Sequence, residues 1–333
     1  MAKRPLTQPR VRWKARADGL PARFELVGDR LVGSVIQGRQ SAIRAWSLDG
    51  AVLWSTKFDG LLALVAGANV FAEGAEALRV RVEDGVIVCR RRFERGASLR
   101  AMDRGRPVFR LGSDPRVPAD GYVVLHPETL ETVAEVPWGG ECQFHDDVVC
   151  THDFEAGTFA VADPDTWRVT AEGVLPIASD NPGWHWHFGP LWCHFTFTQR
   201  IGYNVELGRV QWQWEETGEW HRWWSPCRAG RRVFGHGRAG LVCYDLVTGA
   251  AVWRQPHGQD PAGLLGDAAF GVSTVGDVVW CSTGRSLYRL RITDGHILGH
   301  YRSPRGDVTQ PVGLDEHRVV VAWGGQLWCI EFP

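Results

Sequence analysis

The stretch Leu241-Val242-Cys243-Tyr244-Asp245-Leu246-Val247-Thr248-Gly249-Ala250-Ala251-Val252-Trp253 decides the fold. Two short apolar runs flank Thr248-Gly249, and glycine there supplies the positive φ that a tight hairpin needs. The same unit recurs at Ile43-Arg44-Ala45-Trp46-Ser47-Leu48-Asp49-Gly50-Ala51-Val52-Leu53-Trp54. It recurs again at Leu287-Tyr288-Arg289-Leu290-Arg291-Ile292-Thr293-Asp294-Gly295-His296-Ile297-Leu298. Weaker copies have their turns near Asp84-Gly85, Glu128-Thr129, Asp165-Thr166 and Leu207-Gly208, so that successive turns lie 35 to 46 residues apart. That interval is the room required by four short strands and their loops.

The runs are four to eight residues long, rich in Val, Leu, Trp, Phe and Tyr, and alternate with polar residues, which is strand periodicity. No stretch combines helical spacing of apolar residues with caps. A four-stranded sheet of this kind is apolar on both faces and is stable only when stacked on its neighbours. The last unit is incomplete. Residues 317–323 and 326–332 read as its second and third strands, and its missing fourth strand lies at the other end of the chain. There Arg10-Val11-Arg12-Trp13-Lys14-Ala15-Arg16 resembles residues 51–57. An N-terminal strand over 10–17 that completes the C-terminal sheet closes a ring and leaves no mismatched edge. The expectation is an all-β, eight-bladed propeller of four-stranded antiparallel blades. It is one domain over residues 1–333, with residues 1–9 as a flexible tail.

The composition fits a folded globular chain: 44% hydrophobic, 23% charged, net charge −1. A balance that close to zero gives no basic field for nucleic acid or an anionic membrane surface. No run approaches eighteen apolar residues, so no membrane insertion is expected. The first ten residues have neither an apolar core nor a small-residue cleavage site, which points away from secretion and toward the cytoplasm. Eight cysteines are scattered without a C-x-x-C pair. Several end apolar triplets, as in Val148-Val149-Cys150 and Leu327-Trp328-Cys329, where cysteine acts as a small core hydrophobe and stays a free thiol.

Residues 241–253 resemble the repeat of the pyrroloquinoline-quinone-type β-propellers, and the weaker copies are similar to it across nearly the whole chain. The resemblance implies that the repeat's tryptophan packs between adjacent blades, a role it assigns to Trp13, Trp54 and Trp253. Enzymes of that class are typically exported, hold the quinone with calcium, and often carry a vicinal disulfide. This chain has no Cys-Cys pair and no recognisable set of calcium ligands, so neither the quinone nor a bound metal is expected as a cofactor. An eight-bladed outer-membrane assembly lipoprotein of the same class needs a lipidated N-terminal cysteine. The first cysteine here is Cys89, which disfavours that role.

Local constellations add little chemistry. In Trp184-His185-Trp186-His187, strand alternation sets His185 and His187 on one face. With His194 nearby they are the candidates for a zinc or copper site, although the spacing matches no strong zinc signature. His145-Asp146-Asp147 and His152-Asp153 have the composition of base-and-orienter pairs, but they read as strand-end and loop polar residues. No Gly-x-Ser-x-Gly elbow or phosphate loop occurs.

The strongest local anomaly is tryptophan. Eight of the seventeen fall between residues 184 and 224. Trp186, Trp192, Trp212 and Trp214 read as strand residues filling the inter-blade core. Glu219-Trp220-His221-Arg222-Trp223-Trp224 reads differently, as aromatics interleaved with polar residues between two blades. Tryptophan and arginine together mark interaction hot spots. The expected partner-binding residues are therefore Trp184, His185, Trp186, His187, Trp220, His221, Arg222, Trp223 and Trp224. The expected role is a cytosolic scaffold for a protein or peptide partner, with no catalytic residues. The competing class is an enzyme or a small-ligand or metal-binding propeller that uses the central channel.

Overall fold

The computed structural model describes residues 9–38, 40–60, 63–74, 76–94, 96–112, 121–136, 141–145, 148–153, 158–174, 184–188, 191–195, 199–204, 206–215, 227–237, 240–256, 271–283, 285–303 and 311–333. None of these residues is helical. Strand β1 (Arg10–Arg16) comes first. Blade one is β2 (Leu20–Val27), β3 (Arg30–Gln37), β4 (Gln40–Ser47) and β5 (Val52–Phe58). Blade two is β6 (Ala63–Ala66), β7 (Asn69–Ala72), β8 (Glu76–Arg81) and β9 (Ile87–Arg92). Blade three is β10 (Ala97–Asp103), β11 (Arg106–Leu111), β12 (Tyr122–Leu125) and β13 (Thr132–Val136). Blade four is β14 (Glu141–His145), β15 (Val148–Asp153), β16 (Thr158–Ala162) and β17 (Val169–Val174). Blade five is β18 (Trp184–Phe188), β19 (Leu191–Phe195), β20 (Gln199–Asn204) and β21 (Arg209–Glu215). Blade six is β22 (Cys227–Ala229), β23 (Arg232–Gly237), β24 (Gly240–Asp245) and β25 (Ala251–Pro256). Blade seven is β26 (Val272–Val275), β27 (Val278–Thr283), β28 (Ser286–Arg291) and β29 (Ile297–Arg302). Blade eight is β30 (Val312–Gly313), β31 (Arg318–Trp323) and β32 (Gln326–Glu331), with β1 paired on its outer edge.

The protein is an eight-bladed β-propeller of antiparallel four-stranded blades. Inner strands of successive blades approach one another, and β30 returns to β2. Strand β1 runs antiparallel to β32, with Arg10 opposite Glu331 and Arg16 opposite Gln326. The Lys14 ammonium sits 3.7 Å from the centre of the Trp328 ring.

Hydrophobic burial is divided among the seams. Leu31, Val35 and Trp46 of blade one pack on Ala15, Val320 and Leu327 of blade eight. Phe234, Cys243 and Trp253 of blade six pack on Val272, Val279 and Cys281 of blade seven. Each sheet has two apolar faces because each has two neighbours.

A second device holds the seams. Every outer strand pair carries a register shift next to one recurring position, occupied in turn by Trp13, Trp54, Cys89, Ala134, Ala171, Trp212, Trp253 and Gly299. A bulge there raises the local twist and re-aims the side chain. Where the position is tryptophan, the indole N–H donates to a carbonyl of the next blade. Trp13 reaches Leu48 at 2.6 Å, Trp54 reaches Val82 at 2.8 Å, Trp212 reaches Leu246 at 3.0 Å and Trp253 reaches Ile292 at 3.1 Å. The bridging role assigned to Trp13, Trp54 and Trp253 thus has a hydrogen-bonded form.

The receiving turn presents Gly50, Gly85, Gly249 or Gly295, all at positive φ. Glycine is required twice over at these positions. The backbone is left-handed, and a Cβ at Gly249 would lie 2.4 Å from the Trp212 ring. Where the donating position is small, the receiving blade supplies the bulk instead. Leu130 (φ 58°) packs in the seam that includes Cys89, and Trp167 (φ 58°) packs in the seam that includes Ala134. Both turns keep the same backbone bond from residue i to i−4 that Gly249 and Gly295 make. Across from Gly299 stands Phe332, whose ring leaves only 2.4 Å for an added Cβ.

Candidate functional site

The divergent fifth and sixth blades carry the residues singled out from the sequence. Trp184, His185, Trp186 and His187 form β18, the innermost strand of blade five, so their backbone runs along the wall of the central channel. Register sets His185 directly opposite His194 on β19, and His187 opposite Trp192. The side chains of Trp184, His185, Trp186, His187 and His194 lie outside the described set. Trp220, His221, Arg222, Trp223 and Trp224 lie outside it altogether, between β21 and β22 in the chain. Asp146 and Asp147 are also outside. His145 ends β14, and His152 and Asp153 end β15, where strand-end polar residues were expected.

The described part of the seam between blades five and six is built from Arg200, Trp212, Trp214 and Tyr244. Trp192 is 1% exposed and packs with Phe159, Val161 and Tyr203, so it belongs to the seam with blade four. Trp212 is 9% exposed and joins Val233, Val242 and Tyr244 of blade six. These two are the core residues the strand pattern implied.

Trp214 departs from that expectation, because it is 42% exposed. It shares a strand face with Trp212, but blade six offers only a turn at this level. Three successive turn carbonyls accept side-chain donors from β21. Leu246 takes Trp212, Val247 takes the Gln211 amide at 2.9 Å, and Thr248 takes the Trp214 indole at 3.0 Å. The polar edge of Trp214 is anchored while much of its ring stays in solvent.

Arg200 lies behind it, opposite Trp214 in register and only 4% exposed. Its guanidinium is 4.2 Å from the Tyr244 ring centre and 5.9 Å from that of Trp214. A buried cation on aromatic faces is a rigid support, and it enriches the negative character those rings present to it. The receiving turn is rigid too. The Asp245 carboxylate accepts the N–H groups of Val247 and Thr248, each at 3.0 Å, and two arginines, Arg231 and Arg232, pair with it. Partial burial opposes its ionisation, but these donors win and hold its carboxyl below the usual range. Sequence pattern could not separate Trp214 from Trp212, and it gave no signal for Arg200.

The buried thiols among the described residues are held in their neutral form. Burial pushes the Cys150 and Cys243 thiols up to about 12 and raises Cys193 and Cys281 as well, which leaves them poor nucleophiles at neutral pH. All eight cysteines are free. Among the described residues no group of three or more His, Cys, Asp or Glu is placed to hold a metal ion. Five of the described aspartates, Asp84, Asp163, Asp245, Asp294 and Asp315, cap turns by accepting backbone N–H groups. On the inner wall, residues 23–26 of β2, 273–275 of β26 and 311–313 enclose a pocket of about 370 Å³, where Arg23 and Glu25 pair at 3.2 Å. No described helix is long and apolar enough to cross a membrane.

No family model matches the chain, and no curated protein matches it. Solved structures do. BamB from Moraxella catarrhalis is 11% identical, with 97% of this chain and 100% of that one covered, at a TM-score of 0.63. The computationally designed protein Ika8 is 12% identical, with 96% and 99% covered, at 0.72. The quinohemoprotein alcohol dehydrogenase ADHIIG from Pseudomonas putida HK5 is 10% identical, with 98% and 76% covered, at 0.65. A quinoprotein among these neighbours accords with the repeat to which residues 241–253 are similar. At such identities the likeness extends to the fold alone.

Proposed function

We propose that the protein is a cytosolic β-propeller scaffold that binds a protein or peptide partner, without catalysis of its own. The observation that carries this reading is Trp214: an indole 42% exposed, fixed at its N–H by Thr248 and backed by the buried Arg200. A large ring held in place yet open to solvent loses little side-chain entropy on binding, which is what an anchor residue needs. The segment 219–224, with its three tryptophans and Arg222, begins five residues after Trp214 in the chain, and its composition is that of an interaction hot spot. Seams latched by indole hydrogen bonds supply the rigid frame on which loops are displayed. Eight free thiols accord with a reducing compartment. The test is affinity capture with wild type, Trp214→Ala and Trp220→Ala/Trp223→Ala. Loss of a common partner in both variants supports the reading, and undiminished capture overturns it.

A second reading has its own observation. The pocket of about 370 Å³ on the inner wall is large enough for a small ligand in the channel. A ligand competed by Arg23→Ala, and unaffected by Trp214→Ala, favours it.

A further inference from the structure

The seam between blades one and two, half a ring away from blades five and six, opens into a groove of about 740 Å³. Its floor is apolar: Phe58 of β5 and Leu78 of β8 are each 5% exposed and belong to the core of that seam. Its wall is charged. Register sets Glu76 opposite Arg92 and Leu78 opposite Arg90, so the two arginines overhang the floor from the outer strand β9. Arg90 donates to Glu76 at 3.3 Å, and its side chain is still 57% exposed. Lys57 and Asp59 complete the rim. Three cations thus face two carboxylates, one of them already neutralised by Arg90.

The groove is preformed. A Cβ on Gly60 would lie 1.7 Å from the Glu73 carbonyl, and one on Gly74 would lie 2.1 Å from that of Asp59. The connection after β5 therefore lies flat against the turn after β7. Glu73 is itself tied to blade three, its carboxylate accepting the Leu99 N–H at 2.8 Å. A cavity of this size with rigid walls takes a short peptide segment without paying for its own ordering.

We propose that this groove docks an acidic segment of a protein partner. Apolar side chains sit on Phe58 and Leu78 while carboxylates pair with Arg92, Arg90 and Lys57. Arginine suits the task because its planar fork binds a carboxylate through two parallel N–H groups. The site is independent of Trp214, so the ring carries two binding seams on opposite sides.

The experiment is fluorescence anisotropy on the whole chain, with a labelled hexapeptide of alternating glutamate and leucine as the probe. A lysine–leucine hexapeptide is the control. The proposal requires saturable binding of the acidic probe that weakens with salt, and little binding of the basic one. Arg90→Glu/Arg92→Glu weakens the acidic probe by about tenfold or more, with an unchanged melting curve. Arg92→Gln, which leaves the Arg90–Glu76 pair intact, weakens it by about threefold. Trp214→Ala leaves it unchanged. Equal binding of the two hexapeptides, no binding of the acidic one, or full binding by the reversal variant overturns the proposal. Loss of the probe in Trp214→Ala moves the acidic site to the other seam and likewise overturns it.

Discussion

Trp253 and Gly295 share one volume from opposite sides of the seam between blades six and seven. The indole donates to Ile292, in the turn after β28 of the next blade, and its Cε3 lies where a Gly295 side chain would begin, 2.5 Å from an added Cβ. Gly295→Ala meets both a left-handed backbone and a ring, and loses about 2 kcal/mol or more. Trp253→Ala costs about 3 kcal/mol through lost burial and the cavity left behind. The double variant costs less than the sum, because removing the ring relieves the alanine clash. Urea unfolding of the four proteins checks this; strict additivity contradicts the shared volume.

Phe332 and Gly299 invert the same arrangement. Here the outer strand has no side chain and the receiving blade supplies a buried phenyl, 1% exposed and 5.2 Å from the Trp280 ring centre. Phe332→Ala is expected to cost about 3 kcal/mol. Gly299→Ala in the wild-type background is also destabilising, and it is neutral or better once Phe332 is alanine. Thermal unfolding of the single and double variants reads the sign directly.

Strand β1 contributes both Trp13 and Ala15 to the seam between blades eight and one. Deleting residues 1–17 removes that plug and exposes the edge of β32. A fall in melting temperature of more than about 10 °C is expected, together with self-association through the bared edge. Unchanged unfolding of the truncated chain contradicts the pairing.

Acid stability follows from the turn aspartates. The N–H and hydroxyl of Thr166 hold the Asp163 carboxyl below its ordinary value of 3.8, and the N–H of His296 does the same for Asp294. A folded value below the unfolded one means stability that is present above pH 3.8 and is lost as pH falls through the folded value. Asp103 has the opposite sign. Complete burial raises it despite the pairing with Arg106, so its contribution is present below 3.8 and is lost as pH rises through its folded value. Melting temperature measured from pH 3 to 7 therefore rises with pH in wild type. Asp163→Asn flattens the rise and Asp103→Asn steepens it.

The repeat was legible because its turns obey simple chemistry. Asp49-Gly50, Thr248-Gly249 and Asp294-Gly295 are all hairpin turns, and the tryptophans beyond the first two, Trp54 and Trp253, bridge blades. The turns at Leu130 and Trp167 were harder to read for a physical reason. Each puts a large side chain at positive φ, where glycine is the default, and the strain is offset by filling a seam whose outer strand has only Cys89 or Ala134. The site was legible only as a composition. Strand alternation treats Trp212 and Trp214 alike. Their separation into a buried latch and an exposed anchor depends on where the blade-six turn ends, a distance that no local pattern carries.

The most direct test of the scaffold reading is the Trp214 ring itself. Partner affinity should be measured for wild type, Trp214→Phe and Trp214→Ala by capture with quantitative mass spectrometry and then by titration of the captured partner. The account predicts an at least tenfold loss for alanine and an intermediate loss for phenylalanine, with unfolding temperatures close to wild type. Equal affinity across the three proteins contradicts it.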